Sequence, residues 1–472
     1  MARSPLQDLS ENSVQPLNIK TKLAFGSGEL GKEMPGSILV FYILFFLTNV
    51  AGLNPALAGG VLMVGRIWDA ISDPMIGWLS DRTHSRWGRR YPWMLFGAVP
   101  LGLCFCLQWW VPPTPHPWAL FGYYSLMAIL LFTALTAVAI PHAALAAELT
   151  QGYDERTNLA SFKSSFSIGS SILGLVLAQF IFALIADDQR QYLILGGVIG
   201  ALCIISVGLC VWGTHQRYWR MHAIRQASPP DPSLSIWRQI QIAFSNRPFV
   251  YLVGIYLFSW VGLQVSAAIL PYFVVNVMAL AENHFTQMAL AVQGTALTMM
   301  LFWGYLGQRI GKRAIYCLGI PVTLVALVGF FLLQPGQILL MYGLGVMVGM
   351  GLSTAYLVPW SMLPDVIDLD ELNTSQRREG IFCGFLIQVQ KLGTALSIFL
   401  VGKTLDWAGF VSSVAGQAPT PQPESALWAI RWLMGPVPGL ILAMGVVAAV
   451  FYPISRDVHQ SILLKLSQRE AS

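Results

Sequence analysis

Charge is scarce in this chain: Asp, Glu, Lys and Arg make up 11% of its 472 residues, against 55% that are hydrophobic. Soluble domains carry about twice that charged share, so a water-facing globule is excluded and most side chains must face lipid or one another. Cysteine is also sparse. The six (Cys104, Cys106, Cys203, Cys210, Cys317 and Cys383) all fall in apolar stretches, and no pair has metal-ligand spacing in a loop. They read as buried thiols that neither require nor exclude an oxidising compartment. A phosphate-binding loop, a serine elbow and a His/Cys metal cluster are all missing, so nothing argues for an enzyme or for a resident metal or organic cofactor. Residues 1–20 are polar with no apolar core, which predicts no cleavable leader. The net charge of +5 is scattered among short segments rather than gathered in a patch, so no nucleic-acid partner is expected.

What is abundant is long apolar runs. A helix needs about 20 apolar residues to cross a bilayer, and the chain offers twelve such stretches: 24–50, 57–80, 93–111, 118–147, 158–186, 191–213, 248–276, 284–308, 314–333, 337–363, 379–404 and 426–453. The longest polar interval between them, 214–247, contains Pro229, Pro230 and Pro232, and Ser235–Phe244 within it has the pattern of a short surface helix. The expected architecture is an all-α membrane protein of twelve transmembrane helices in two pseudo-symmetric bundles of six. The N-terminal arm is 1–23, the first bundle 24–213, the linker 214–247, the second bundle 248–453 and the tail 454–472. A chain of six plus six helices with one long central loop has the organisation of major facilitator transporters.

Basic residues concentrate in alternate connections. Arg82, Arg86, Arg89, Arg90, Arg156, Arg217, Arg220 and Arg225 lie on one side in the first half; Arg309, Lys312, Arg313, Arg377 and Arg378 lie on the same side in the second. The opposite connections hold only Arg190, Lys403 and Arg431. The positive-inside rule then places both termini in the cytoplasm, and the short loops suit a bacterial plasma (inner) membrane. A weak internal repeat agrees. GWLSDRTHSRWGRR follows the second run and GYLGQRIGKR the eighth, each a glycine, an apolar turn and a basic cluster.

Ionisable residues inside spans are costly and therefore candidates for function. Asp69, Ser72 and Asp73 stand at i, i+3 and i+4 in the second run, which places them on one helical face. Two carboxylates and a hydroxyl suit Na⁺; alternatively the paired charges would turn one carboxyl into a proton carrier. The blander reading pairs Asp69 with Arg66 and uses Asp73 as a cap. If the first helix starts near Phe25, Lys32 and Glu33 lie about two turns into it. Lys391 is the only charge in the long apolar stretch of the eleventh run and demands a carboxylate partner, a substrate anion or a wet cavity. Glu148 and Arg156 flank one turn, and Asp365, Asp368 and Arg377 another; these read as gate ion pairs made and broken during alternating access. Lys163 faces either gate or cavity, and His142 is either a hydrogen-bonded core histidine or a cavity residue.

The stretch GRIWDAISDPMIGWLSDRTHSRWGRRYPW (65–93) resembles the second-span signature of the glycoside–pentoside–hexuronide:cation symporters, the melibiose-permease-like family of the major facilitator superfamily. The resemblance continues through FGSGELGKE, IPHAALAAELTQGYDERTNL and PDVIDLDE…RREGIFCGF…QKLG, in order along most of the chain. It implies that Asp69, Ser72 and Asp73 bind the coupling cation with Thr136 from the fourth span. It also implies that Lys32 and Glu33 lie near substrate, that Lys391 serves both sites, and that Lys163 lies within a residue of a basic substrate position. Two positions depart from it: Ala139 replaces a span 4 aspartate shared by sugar and cation, and Ala143 replaces a sugar-stacking tryptophan. LVPWSMLPDVIDLDE (357–371) is in turn similar to the sodium-dependent lysophosphatidylcholine symporters of the same superfamily. The expected function is therefore symport of a glycoside-like solute with Na⁺ or H⁺ by a monomer in the bilayer. Symport of a lysophospholipid or other amphiphile is the alternative, and a transporter-fold sensor a third reading.

Overall fold

The computed structural model describes residues 17–83, 85–114, 116–149, 153–225, 241, 244–374, 379–412 and 421–470. Six long helices come first: α1 (Ile19–Asn49), α2 (Pro55–Arg82), α3 (Tyr91–Gln108), α4 (Pro117–Leu149), α5 (Tyr153–Leu184) and α6 (Asp188–Arg225). The second series is α7 (Arg247–Tyr272), α8 (Asn283–Ile310), α9 (Lys312–Leu332), α10 (Ile338–Thr374) and α11 (Glu379–Trp407). It closes with α12 (Glu424–Met434), α13 (Pro436–Val450) and α14 (Arg456–Glu470). Eleven helical segments, with α12 and α13 counted as one, are long and apolar enough to cross a membrane. The twelfth spanning element is α2, 28 residues long and carrying Arg66, Asp69 and Asp73. This is a multi-pass membrane protein.

Local chemistry sets the helix starts. Asn18, Asn54 and Asn246 cap α1, α2 and α7, accepting from the amides of Lys20, Ala56 and Phe249 at 3.2, 2.9 and 3.2 Å. Pro55 and Pro248 occupy the first turns of α2 and α7, where no amide hydrogen is needed. Prolines also sit inside seven of the membrane helices, as packed membrane helices tolerate. Three elements differ from expectation. The first helix begins at Ile19, not near Phe25, so Lys32 lies more than three turns in. The sixth continues to Arg225, because beyond the apolar run it still packs: Tyr218 is buried and its hydroxyl accepts from the Arg89 amide at 3.3 Å. The tail folds as α14 against α10, with Ile462 buried. Ser235–Phe244 lies almost wholly outside the described residues.

The helices of each series pack mainly among themselves, and the two series meet along α2 with α11, α5 with α8, and α1 with α7. The closest approach is between α2 and α11. A Cβ on Gly402 would stand 2.6 Å from the Pro55 carbonyl oxygen, and one on Gly59 3.3 Å from that of Phe399. Only glycine lets the two backbones pack this tightly.

Nearby contacts join the series at the end of the molecule remote from the central linker. Tyr42 shares a 2.7 Å hydrogen bond with Thr286, and Thr48 another with Tyr272. Phe45 packs edge-on to Tyr272, and Phe285 lies against Tyr42. At the linker end the described ion pairs instead lie within one series each. Arg89 and Arg90 hold Glu148 at 3.1 and 3.2 Å, and Lys312 holds Asp365 at 2.6 Å. The bundle is thus closed by aromatic and hydroxyl contacts at its remote end.

Candidate functional site

Midway along α2 the i, i+3, i+4 spacing does what the sequence predicts. Asp69, Ser72 and Asp73 project together and are 2%, 3% and 7% exposed. Thr136 of α4 meets them. Its hydroxyl lies 3.2 Å from Asp69 Oδ1 and 3.0 Å from Asp73 Oδ1, and 3.2 Å from the Ser72 hydroxyl. A hydroxyl has one proton, so Thr136 donates to one carboxylate at a time and its lone pairs remain available.

The other side of the carboxylates faces the second series. Lys391 of α11 reaches across, placing Nζ 2.9 Å from Asp69 Oδ2 and 2.5 Å from Asp73 Oδ2. This is the carboxylate partner a lone membrane lysine requires. It also corrects the blander reading of α2. Arg66 does not hold Asp69; its guanidinium lies 4.8 Å over the Phe132 ring, and Asp73 is inside the helix rather than at a cap. The carboxylates are therefore layered between an ammonium and two hydroxyls. Lys391 is the one cation in direct contact with both carboxylates among the described residues. The layer's donors are all oxygen, the ligand type hard cations take, and the described residues include no group of three or more His, Cys, Asp or Glu suited to a metal ion.

A second charged cluster lies within the first series. Lys32 of α1 stands 3.0 Å from Glu29 and 3.5 Å from Glu33. Lys163 of α5 stands 3.7 Å from Glu29, and His142 of α4 faces the same carboxylate at 3.5 Å. The structure thus brings together Lys32, Glu33, Lys163 and His142. The residue that sequence reasoning missed is Glu29, at 0% exposure the centre of the group. A helix start near Phe25 would put it in the first turn, where an acid is ordinary. Its i, i+3 relation to Lys32 was the available signal.

Among the described residues the gate carboxylates have these partners. Glu148 pairs with Arg89 and Arg90, Asp365 with Lys312, and Asp368 with His459 of α14 at 3.0 Å. The side chain of Arg156 and all of Arg377 lie outside the described residues.

Beside Ser72, an apolar cavity of about 430 Å³ opens between α2, α3 and α4. It is lined by Trp68, Met75, Trp93, Phe96 and Leu130. Trp68 donates its indole N–H to Thr133 at 2.8 Å, which fixes the ring at the cavity edge.

Comparison with known proteins places this geometry in context. The family model described as MFS/sugar transport protein matches residues 24–456. An uncharacterised symporter of Synechocystis sp. is 43% identical over 97% of this chain and 98% of its own. Human sodium-dependent lysophosphatidylcholine symporter 1 is 25% identical over 94% of this chain and 87% of its own. Among solved structures, a bacterial homologue of the lysosomal transporter Spinster, inward-facing and unoccupied, aligns with TM-score 0.66 at 12% identity. That alignment covers 94% of this chain and 97% of that one. The xylose transporter XylE of E. coli aligns with TM-score 0.57 at 13% identity, over 93% and 96%. At such identities these likenesses concern the fold, which is that of major facilitator transporters.

Proposed function

The chain belongs to the MFS/sugar transport protein family, and from that premise we propose that it is a cation-coupled symporter working by alternating access. The observation that carries the reading is the Lys391 ammonium lying across Asp69 and Asp73, because it ties the two series at the depth where charge is costliest. A Na⁺ or proton arriving at Asp69, Asp73, Ser72 and Thr136 competes with that ammonium for the same oxygens. With the ion bound, Lys391 is released from the carboxylates. Without it, Lys391 returns and draws the series together. The cation thereby changes the relative energy of two arrangements, as coupling requires.

The Lys32, Glu33 and Lys163 side chains supply donors and acceptors suited to a hydroxyl-rich, glycoside-like solute. A second reading has its own observation. The apolar cavity between α2, α3 and α4 abuts Ser72, so an acyl chain would lie there while Lys391 or Lys163 held a headgroup phosphate. Relatives named as lysophosphatidylcholine symporters favour this alternative. Glu148, Asp365 and Asp368, held by Arg89, Arg90, Lys312 and His459, serve as latches of the linker-end gate, with Arg156 and Arg377 as further candidates. We place both termini in the cytoplasm and the chain, as a monomer, in the plasma membrane, on the distribution of basic loops.

The test is thermal unfolding of the purified protein with sugars, glycosides and lysolipids, each with and without Na⁺ at two pH values. Ligand and coupling ion should stabilise together by mass action. Stabilisation by a glycoside that depends on Na⁺ or pH supports the first reading. A shift confined to lysolipids, with no shift from matched detergent, supports the second. No ligand showing cation dependence would remove symport as the function.

A further inference from the structure

Glu29 has no role in the cation layer, yet both it and His142 are 0% exposed. The His142 ring is fixed in place: Phe25 stacks on it at 4.6 Å and 19°, and it fills the notch left by Gly28, where any Cβ would collide with Nε2. That fixed ring leaves little choice of tautomer. Nε2 lies 2.9 Å from the Phe25 carbonyl oxygen, which only accepts, so Nε2 carries hydrogen and donates. In a neutral imidazole Nδ1 is then a bare lone pair. It faces Glu29 Oε1 at 3.5 Å, and an ionised carboxylate also offers lone pairs alone. Neither Nδ1 nor Oε1 has a hydrogen-bond partner in the structure, although Lys32 and Lys163 stand near the carboxylate as ion partners. Two enclosed acceptors facing each other are unfavourable until one proton joins them.

We propose that Glu29 and His142 form a buried proton-binding site, separate from the Asp69/Asp73 layer. One proton binds between them, resting on Glu29 and donated to Nδ1 or resting on Nδ1 and donated to the carboxylate. No heavy-atom bond changes in either case. The charged and titratable groups around the pair come from every packed helix: Lys32 and Glu33 of α1, Lys163 of α5, and Cys210 of α6, whose Sγ lies 3.9 Å from the Phe25 carbonyl oxygen. Proton binding cancels one charge of the pair and weakens the hold of Glu29 on Lys163, which is 39% exposed and 3.7 Å away. The freed ammonium is then available to an acidic group on the solute. That consequence rests on the symport reading; the proton site does not.

The test is ¹⁵N NMR of full-length protein labelled at histidine, titrated across about pH 5 to 9, with His142→Gln identifying the signal. The expected result is an Nδ1 that carries a proton or accepts a hydrogen bond over part or all of that range. Glu29→Gln, whose amide donates to Nδ1, should show a hydrogen-bonded neutral ring at every pH, while Glu29→Leu should show a bare Nδ1. A wild-type Nδ1 that stays a bare lone pair throughout overturns the proposal, and that measurement decides even if a variant fails to fold. Asp73→Asn should leave the His142 signal unchanged, so loss of the cation reading and loss of this one are told apart.

Discussion

Replacing Lys391 by methionine keeps the apolar stem and removes the ammonium that lies 2.9 and 2.5 Å from Asp69 and Asp73. The carboxylates, 2% and 7% exposed, then lose their counter-charge. Breaking a fully buried ion pair costs about 3–5 kcal/mol. Lys391 is itself one-fifth exposed, so water takes up part of that loss and about 2–3 kcal/mol is a fair expectation. The same energy favours any cation that fills the gap. Since a factor of ten corresponds to about 1.4 kcal/mol, Na⁺ should bind Lys391→Met about 30- to 140-fold more tightly than wild type. The assay is thermal unfolding against Na⁺ concentration at about pH 8, where protonation of the carboxylates competes least. The variant should unfold at lower temperature without Na⁺ and regain stability at lower Na⁺ than wild type. Coupled accumulation should fail, because nothing returns to the carboxylates when the ion leaves. Wild-type stability without Na⁺, combined with a weakened Na⁺ response, would refute the competition argument.

Asp73→Asn removes a carboxylate shared by Lys391 and Thr136. It should abolish cation-dependent stabilisation and uphill uptake while the protein still folds and inserts; normal uphill uptake in proteoliposomes would remove α2 from the mechanism. Gly402→Leu puts a side chain where a Cβ already meets the Pro55 carbonyl oxygen at 2.6 Å. It should open the remote end, measured as faster labelling of a cysteine introduced at the buried Val277, and an unchanged rate would show that this contact does not hold the closure. Glu282, in the connection before α8, has its carboxyl pushed up to about 7 by burial and then by the nearby Asp188 charge. The closed arrangement therefore binds the extra proton: its advantage is full below the ordinary glutamate value of 4.5 and is lost as pH rises through about 7. The same labelling assay, with rates divided by those of the denatured protein to remove the thiol's own ionisation, should accelerate over that interval in wild type and not in Glu282→Gln.

Hydropathy and helical periodicity were sufficient for several features. Apolar runs of bilayer length require helices, since no other open structure satisfies the backbone in lipid, and the twelve spans follow from them. Likewise, 3.6 residues per turn puts Asp69, Ser72 and Asp73 on one face whatever surrounds them. The need of Lys391 for a counter-charge was equally legible, because an isolated ammonium in an apolar run is unstable. Which partner answers that need was not, since Asp73 lies 318 residues away and only the packing of α11 on α2 joins them.

Tertiary structure likewise decided that Glu148 is held by Arg89 and Arg90, that His459 of the tail returns to Asp368, and that Tyr218 carries α6 beyond the apolar run. It alone made Glu29 conspicuous, by closing α4, α5 and α6 around one carboxylate that the sequence shows only as an acid near a helix start. Periodicity is a property of one helix and can be read along it. Charge compensation and tautomer are set by which helices meet, and that depends on contacts among residues far apart in the chain.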